Sequence, residues 1–204
     1  MSTLSGLLSL VAFTGLAFAA PLPKTDTFRV RGNTVTALFI DPEPDCIETS
    51  ASISASEETN HNAASPKQFS GSVFLNITRI NLCTGERLLD ANGLHLITDS
   101  SFQVAPSLGT ATLNVNAPAF DLVSGKTLDI TVALVWNATE GVSSGHSVSR
   151  SRFAGVTFHS TSNGANRGAQ ATGRFAMPGT DFAASPAVFA YISKYSNGTV
   201  TITH

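Results

Sequence analysis

TLDITVALVWN, Thr127 to Asn137, places Leu128, Ile130, Val132, Leu134 and Trp136 at every second position, with Thr127, Asp129, Thr131 and Asn137 between or beside them. A period of two belongs to a β-strand, because successive side chains leave the backbone on opposite sides; this strand buries one face and wets the other. The pattern recurs in SGSVFLNITRI (Val73, Leu75, Ile77), in CIETSASISAS (Ile47, Ala51, Ile53) and in GTVTITH (Val200, Ile202), and no window holds a helical period. Turn signals at Asn92-Gly93, Ser124-Gly125, Asn163-Gly164 and Asn197-Gly198, together with prolines at 42, 44, 66, 106, 118, 178 and 186, divide the chain at short intervals. The expected fold is therefore all-β: an antiparallel sandwich or small barrel of about ten strands. Glu57 to Lys67, EETNHNAASPK, reads as a long exposed loop.

The first residues, MSTLSGLLSLVAFTGLAFAAPLP, carry an apolar run too short for a membrane span that ends in Ala17-Phe18-Ala19, a signal-peptidase pattern. Residues 1–19 are expected to be a secretion signal and 20–204 one domain, with no later membrane span. In an oxidising compartment Cys46 and Cys83 most simply form one disulfide. Asn76, Asn137 and Asn197 head glycosylation sequons, the first two on the polar faces of their strands and the third in an expected hairpin turn. The leader and sequons suggest a secreted fungal glycoprotein. Charged residues are 13% of the chain and the net charge is −2, which predicts no nucleic-acid partner.

Gly141-Val-Ser143-Ser-Gly145 matches the G-x-S-x-G of a nucleophile elbow, with His146 behind it. An elbow needs a following helix to face the oxyanion, and HSVSRSRFAGVTFHS alternates like a strand instead. The stretch reads as a Gly/Ser-rich loop, with Ser143 on a flexible rim. Asp41, Glu43, Asp45 and Glu48 cluster between prolines as a solvated charge run, and Asp121 and Asp129 have no apolar neighbours that would raise a catalytic carboxyl. The five histidines lack metal-ligand spacing, and no cofactor motif occurs.

The charge distribution is more informative. From Gly141 onward Arg150, Arg152, Arg167, Arg174 and Lys194 face only Asp181, and Arg150 and Arg152 share one strand face by their i, i+2 spacing. This suggests a cleft for an anionic or enolic, partly apolar small molecule. Arg150, Arg152 and Arg174 would bind an oxygen of the ligand, His159 would donate a hydrogen bond, and Trp136, Phe158 and Tyr191 would stack on its apolar part. Trp136 also continues a buried strand face, which makes it a core residue by the simpler reading.

The segments CIETSASISAS, NLCTGERLL, FDLVSGKTLDITVALVW and VFAYISKYSNGTVTI resemble small secreted β-proteins of fungi and bacteria. In overall character the chain also resembles the stand-alone cyclases of fungal secondary metabolism, the hetero-Diels–Alderases that join a tropolone-type quinone methide to a terpene. That resemblance implies a cofactor-free pocket that positions two reactants. The rival expectation is a non-catalytic module that binds carbohydrate or cell wall, or a host-interaction protein.

Overall fold

The computed structural model describes residues 24–62, 65–97, 100–177, 180–184 and 186–203; the expected leader, Pro178 and the side chain of Asp181 lie outside the described residues. The described chain is all-β, with strands β1 (Lys24–Pro42), β2 (Ile47–Asn62), β3 (Gln68–Asn81), β4 (Arg87–Leu96), β5 (Phe102–Val104), β6 (Thr110–Asp121), β7 (Lys126–Ala138), β8 (Ser143–Phe153), β9 (Val156–Met177), β10 (Thr180–Ala184) and β11 (Phe189–Thr203). Among the described residues no helix is long and apolar enough to cross a membrane.

Antiparallel pairing runs β9-β11-β1-β2-β3-β4-β6-β7 and returns to β9, so the sheet closes on itself as a barrel, which removes most of its free edges. The narrowest seam is β4–β6, with two register pairs, Ala91 with Asp121 and Asn92 with Phe120. Asp121 reinforces it by accepting from the Asp90 N–H at 3.0 Å, and the Leu122 N–H donates to the Asp90 carbonyl at 2.8 Å.

The residues of the opening alternation fill the barrel. Ile130, Val132, Leu134 and Trp136 are buried beside Val35, Ala37 and Phe39 from β1, Ile53 from β2, Leu75 from β3 and Phe175 from β9. Trp136 is fully buried, and its indole N–H donates to the Thr36 carbonyl at 3.0 Å, which satisfies its polar atom in the core. Phe39 and Phe175 meet edge to face at 5.3 Å. Small residues let backbones come close: a methyl group added to Gly173 would lie 2.1 Å from the Ala133 carbonyl oxygen, and one added to Gly93 would lie 2.5 Å from that of Pro118.

One end is closed by the disulfide Cys46–Cys83, which ties the β1–β2 turn to the β3–β4 turn. Beside it Glu43 accepts from the Thr49 hydroxyl at 2.5 Å and forms an ion pair with Arg79. Glu43 is thus held in place rather than belonging to a freely solvated charge run. Burial pushes its carboxyl upward, and the Thr49 and Arg79 contacts more than offset this, so its pKa is lowered.

At the other end the strands outrun the barrel. β9 is 22 residues long; its second half pairs with β7 from Ala169 to Ala176, while its first half pairs with β8 from Val156 to Asn166. β7 and β8 therefore run one after the other along the same edge of β9. Four residues, 139–142, stand opposite two, 167–168, which displaces the register by two and leaves the inside–outside alternation in phase. β8, the first half of β9, the second half of β11, the first half of β1 and the end of β2 form an open sheet that continues the barrel wall.

Several local expectations are corrected here. Asn92-Gly93, Asn163-Gly164 and Asn197-Gly198 lie inside β4, β9 and β11, because each is paired to neighbouring strands: Asn197, for example, stands opposite Val30 and Ser162. Its sequon therefore lies in a strand rather than a turn. Ser124-Gly125 does lie in the turn between β6 and β7, and a two-residue hairpin turn forms at Ala154-Gly155 between β8 and β9, with φ of 48° and 78°. Glu57 to Asn62 belong to β2, paired with β1 throughout and with β3 as far as Asn60, so this part of the expected loop is strand. Ser143 to Gly145 begin β8, so the expected loop is confined to 139–142.

Candidate functional site

Where the strands leave the barrel, an open cleft of about 450 Å³ is lined by residues of β1, β2, β3, β9 and β11. Register lines up Phe69, Thr59, Arg31, Ser196 and Asn163 across neighbouring strands, and Gly71, Glu57, Asn33, Lys194 and Ala165 in the next row. By alternation both rows lie on the face that carries the core further along, since Val35, Ala55, Val73 and Ile192 are its next members. The cleft is thus the inner barrel wall continued past the point where a second wall covers it.

Its side chains are partly fixed. The Asn33 amide donates to Glu57 Oε1 at 2.5 Å, and Lys194 Nζ donates to the Pro106 carbonyl at 3.2 Å. Arg167 donates through Nε to the Glu140 carbonyl at 2.9 Å and through Nη1 to that of Ser107 at 3.5 Å, so the 105–109 turn is held against the sheet at the barrel mouth. Behind the cleft Tyr195 sits over Gly32, where a methyl group would come within 2.6 Å of its ring, and its hydroxyl donates to Glu58 at 2.7 Å. Burial and the Glu58 carboxylate push the Tyr195 hydroxyl up to about 12, so it stays protonated and holds that contact. Phe69 is 47% exposed and supplies an apolar surface at one side.

Of the residues singled out in sequence, Arg150, Arg152 and His159 lie together on this same inner face, with Arg150 directly opposite His159 on β9. Phe158 stands opposite Ser151 and faces the other way. Trp136 is in the core, and Arg174 lies on the outer side of the barrel, opposite Ala133. Tyr191 packs edge to face on Phe189 at 5.5 Å and lines a separate outer hollow of about 530 Å³ with Glu140 and Arg167. The seven residues therefore do not share a pocket. Asn137 is exposed on β7, Asn76 donates its amide to Asn92 at 2.7 Å, and Asn197 accepts from Ser162 at 2.8 Å.

Ser143 and His146 both border a Ser-rich groove, but their side chains leave opposite faces of β8: Ser143 pairs with Asn166, and His146 contacts Asn163 at 2.6 Å on the inner face. They cannot act as nucleophile and base for one another, since that requires hydrogen-bond reach. Sequence reasoning missed Arg31, Asn33, Glu57 and Phe69, and counted Lys194 among the cations after Gly141 without giving it a role. A usable signal lay in FRVRGNTV, where Arg29 and Arg31 have the same i, i+2 spacing as Arg150 and Arg152. No family model, curated protein or solved structure matches this chain.

Proposed function

We propose that this protein is a carbohydrate-binding module that holds its ligand in the cleft between Phe69 and Asn163. The observation that carries this reading is the composition of one accessible face. Asn33, Glu57, Thr59 and Asn163 supply donors and acceptors, Arg31 and Lys194 supply charge, and exposed Phe69 supplies a surface for the apolar side of a sugar ring. A cyclisation that joins two partly apolar reactants is served best by an enclosed chamber that holds them face to face. The barrel interior is filled by side chains and the cleft is open to solvent, so binding accounts for the geometry better than cyclisation does. Secretion and glycosylation belong to the same reading: a secreted module meets extracellular polysaccharide, and Asn137 lies on the outer side of the barrel, away from the cleft.

Retention on insoluble chitin, glucan and cellulose, together with calorimetric titration of neutral and acidic soluble oligosaccharides, tests the proposal. Binding to at least one glycan that weakens roughly tenfold in Phe69→Ala is expected, the loss of one stacking contact. Failure of the folded protein to bind any of them would overturn the reading.

A further inference from the structure

The inner face does not end at the cleft. Continuing away from the barrel, the next inward positions on β1 and β8 bring Arg29, then Arg150, then Arg152 onto the same face as Arg31 and Lys194. Same-face neighbours are about 6.7 Å apart along a strand, so the five cations cover roughly 27 Å from the Lys194 row to the Arg152 row. Glu57, bonded to Asn33, is the acidic residue among the paired inward positions from the Lys194 row outward. None of Arg29, Arg31, Arg150 and Arg152 forms an ion pair with a described residue. The imidazoles of His61, His146 and His159 add further donors on this face. The reverse face of the same sheet is different: along β8, β9 and β11 it presents Ser147, Ser149, Ser160, Ser162, Asn197 and Thr199, and its cation on β1, Lys24, is paired with Asp26.

A chain with net charge −2 that gathers five cations on one wall of one sheet has a localised positive field, which attracts and orients an anion. The length of the stripe exceeds a single small ligand and fits a chain of several charged units. From this, and resting on the carbohydrate reading above, we infer that the ligand is an acidic polysaccharide, bound with one ring in the cleft and its further carboxylates or sulfates along Arg29, Arg150 and Arg152. Planar guanidinium groups suit both anions through paired N–H donors. Single-stranded nucleic acid relies on several stacking aromatics along a basic groove, and the inward positions here offer Phe69, while the ring of Tyr195 is turned to the reverse side and tied to Glu58.

The test titrates the whole protein and an Arg150→Ser/Arg152→Ser variant with polygalacturonate oligomers, a sulfated oligosaccharide, a neutral oligosaccharide and single-stranded DNA at low and high salt. Both arginines are exposed, so the variant is expected to keep the parent melting temperature. The inference expects an acidic glycan to bind most tightly, to weaken with salt, and to lose about five- to tenfold in the variant, the sum of two exposed ion pairs. The carboxylate and sulfate arms then identify which anion is preferred. Neutral glycan binding as tightly as the acidic ones, with no loss in the variant, would overturn this inference and leave the carbohydrate reading standing. Preference for DNA would overturn this inference and replace the ligand class, and no binding of any glycan would overturn both.

Discussion

β7 and β8 lie end to end along one edge of the same partner strand, yet they are built in opposite ways. β7 alternates buried and exposed residues along most of its length, whereas every residue of β8 is exposed. Their inward positions are in phase, so Ile130, Val132, Leu134 and Trp136 on β7 are followed by Ser144, His146, Val148, Arg150 and Arg152 on β8. Both strands have satisfied ladder hydrogen bonds on the β9 side. The difference is what stands opposite the inner face: for β7 it is the far wall of a closed barrel, and for β8 it is solvent. Apolar alternation thus records the presence of a second wall, and where that wall ends the same geometric positions become available for binding a ligand.

The largest effect expected from disturbing this contrast is at Trp136. Removing the side chain by Trp136→Ala opens a cavity and leaves the Thr36 carbonyl without its donor, so a loss of about 3–5 kcal/mol is expected in urea unfolding. Val148→Ala, at an inward position that is 63% exposed, should change stability by less than about 0.5 kcal/mol. Similar losses at the two sites would mean that the extension has a covered core after all.

A smaller effect concerns the seam that closes the barrel. Burial pushes the Asp121 carboxyl up, but the Ser124 hydroxyl and the backbone N–H groups of Asp90, Val123 and Ser124 more than offset this and hold it down to about 2. A carboxyl lowered on folding from 3.8 adds stability that is fully present above about pH 4 and is lost as pH falls toward 2. Urea midpoints measured between pH 5 and pH 2 should fall across that window, and Asp121→Asn should flatten part of the slope. Glu43, also lowered, contributes in the same direction, so the slope should not vanish. An unchanged slope in the variant would show that the seam does not depend on this carboxylate.

The comparison also explains what the sequence allowed to be read. Strands in the barrel were legible because burial imposes a period: TLDITVALVWN identified its own inward face, and the fold class and the Cys46–Cys83 bridge followed. Of SSGHSVSRSRF, the part from His146 onward alternated like a strand, whereas Ser143 to Gly145 read as loop, since no covered face marks where β8 begins. For the same reason EETNHN at the end of β2 looked like a loop. Asn-Gly pairs misled because turn chemistry is a local preference, which two flanking strands override at Asn197-Gly198. The cleft was hidden more deeply: Arg31, Glu57, Phe69, Asn163 and Lys194 come from five strands, and only the register of the sheet brings them together. The paired arginines at 150 and 152 were visible from spacing alone, since one strand suffices to place them on a common face.

Site-resolved amide hydrogen exchange tests the division of this molecule into a packed barrel and an open binding sheet most directly, because Thr131–Ala138 and Ser143–Phe153 offer amides bonded to one common strand. The amides of β7 that bond to β9 should exchange only through global unfolding, and those of β8 through local opening at a free energy several kcal/mol lower, as expected for a strand without buried contacts. Equal protection in the two strands would contradict the account, since it would require β8 to be part of the same cooperative core.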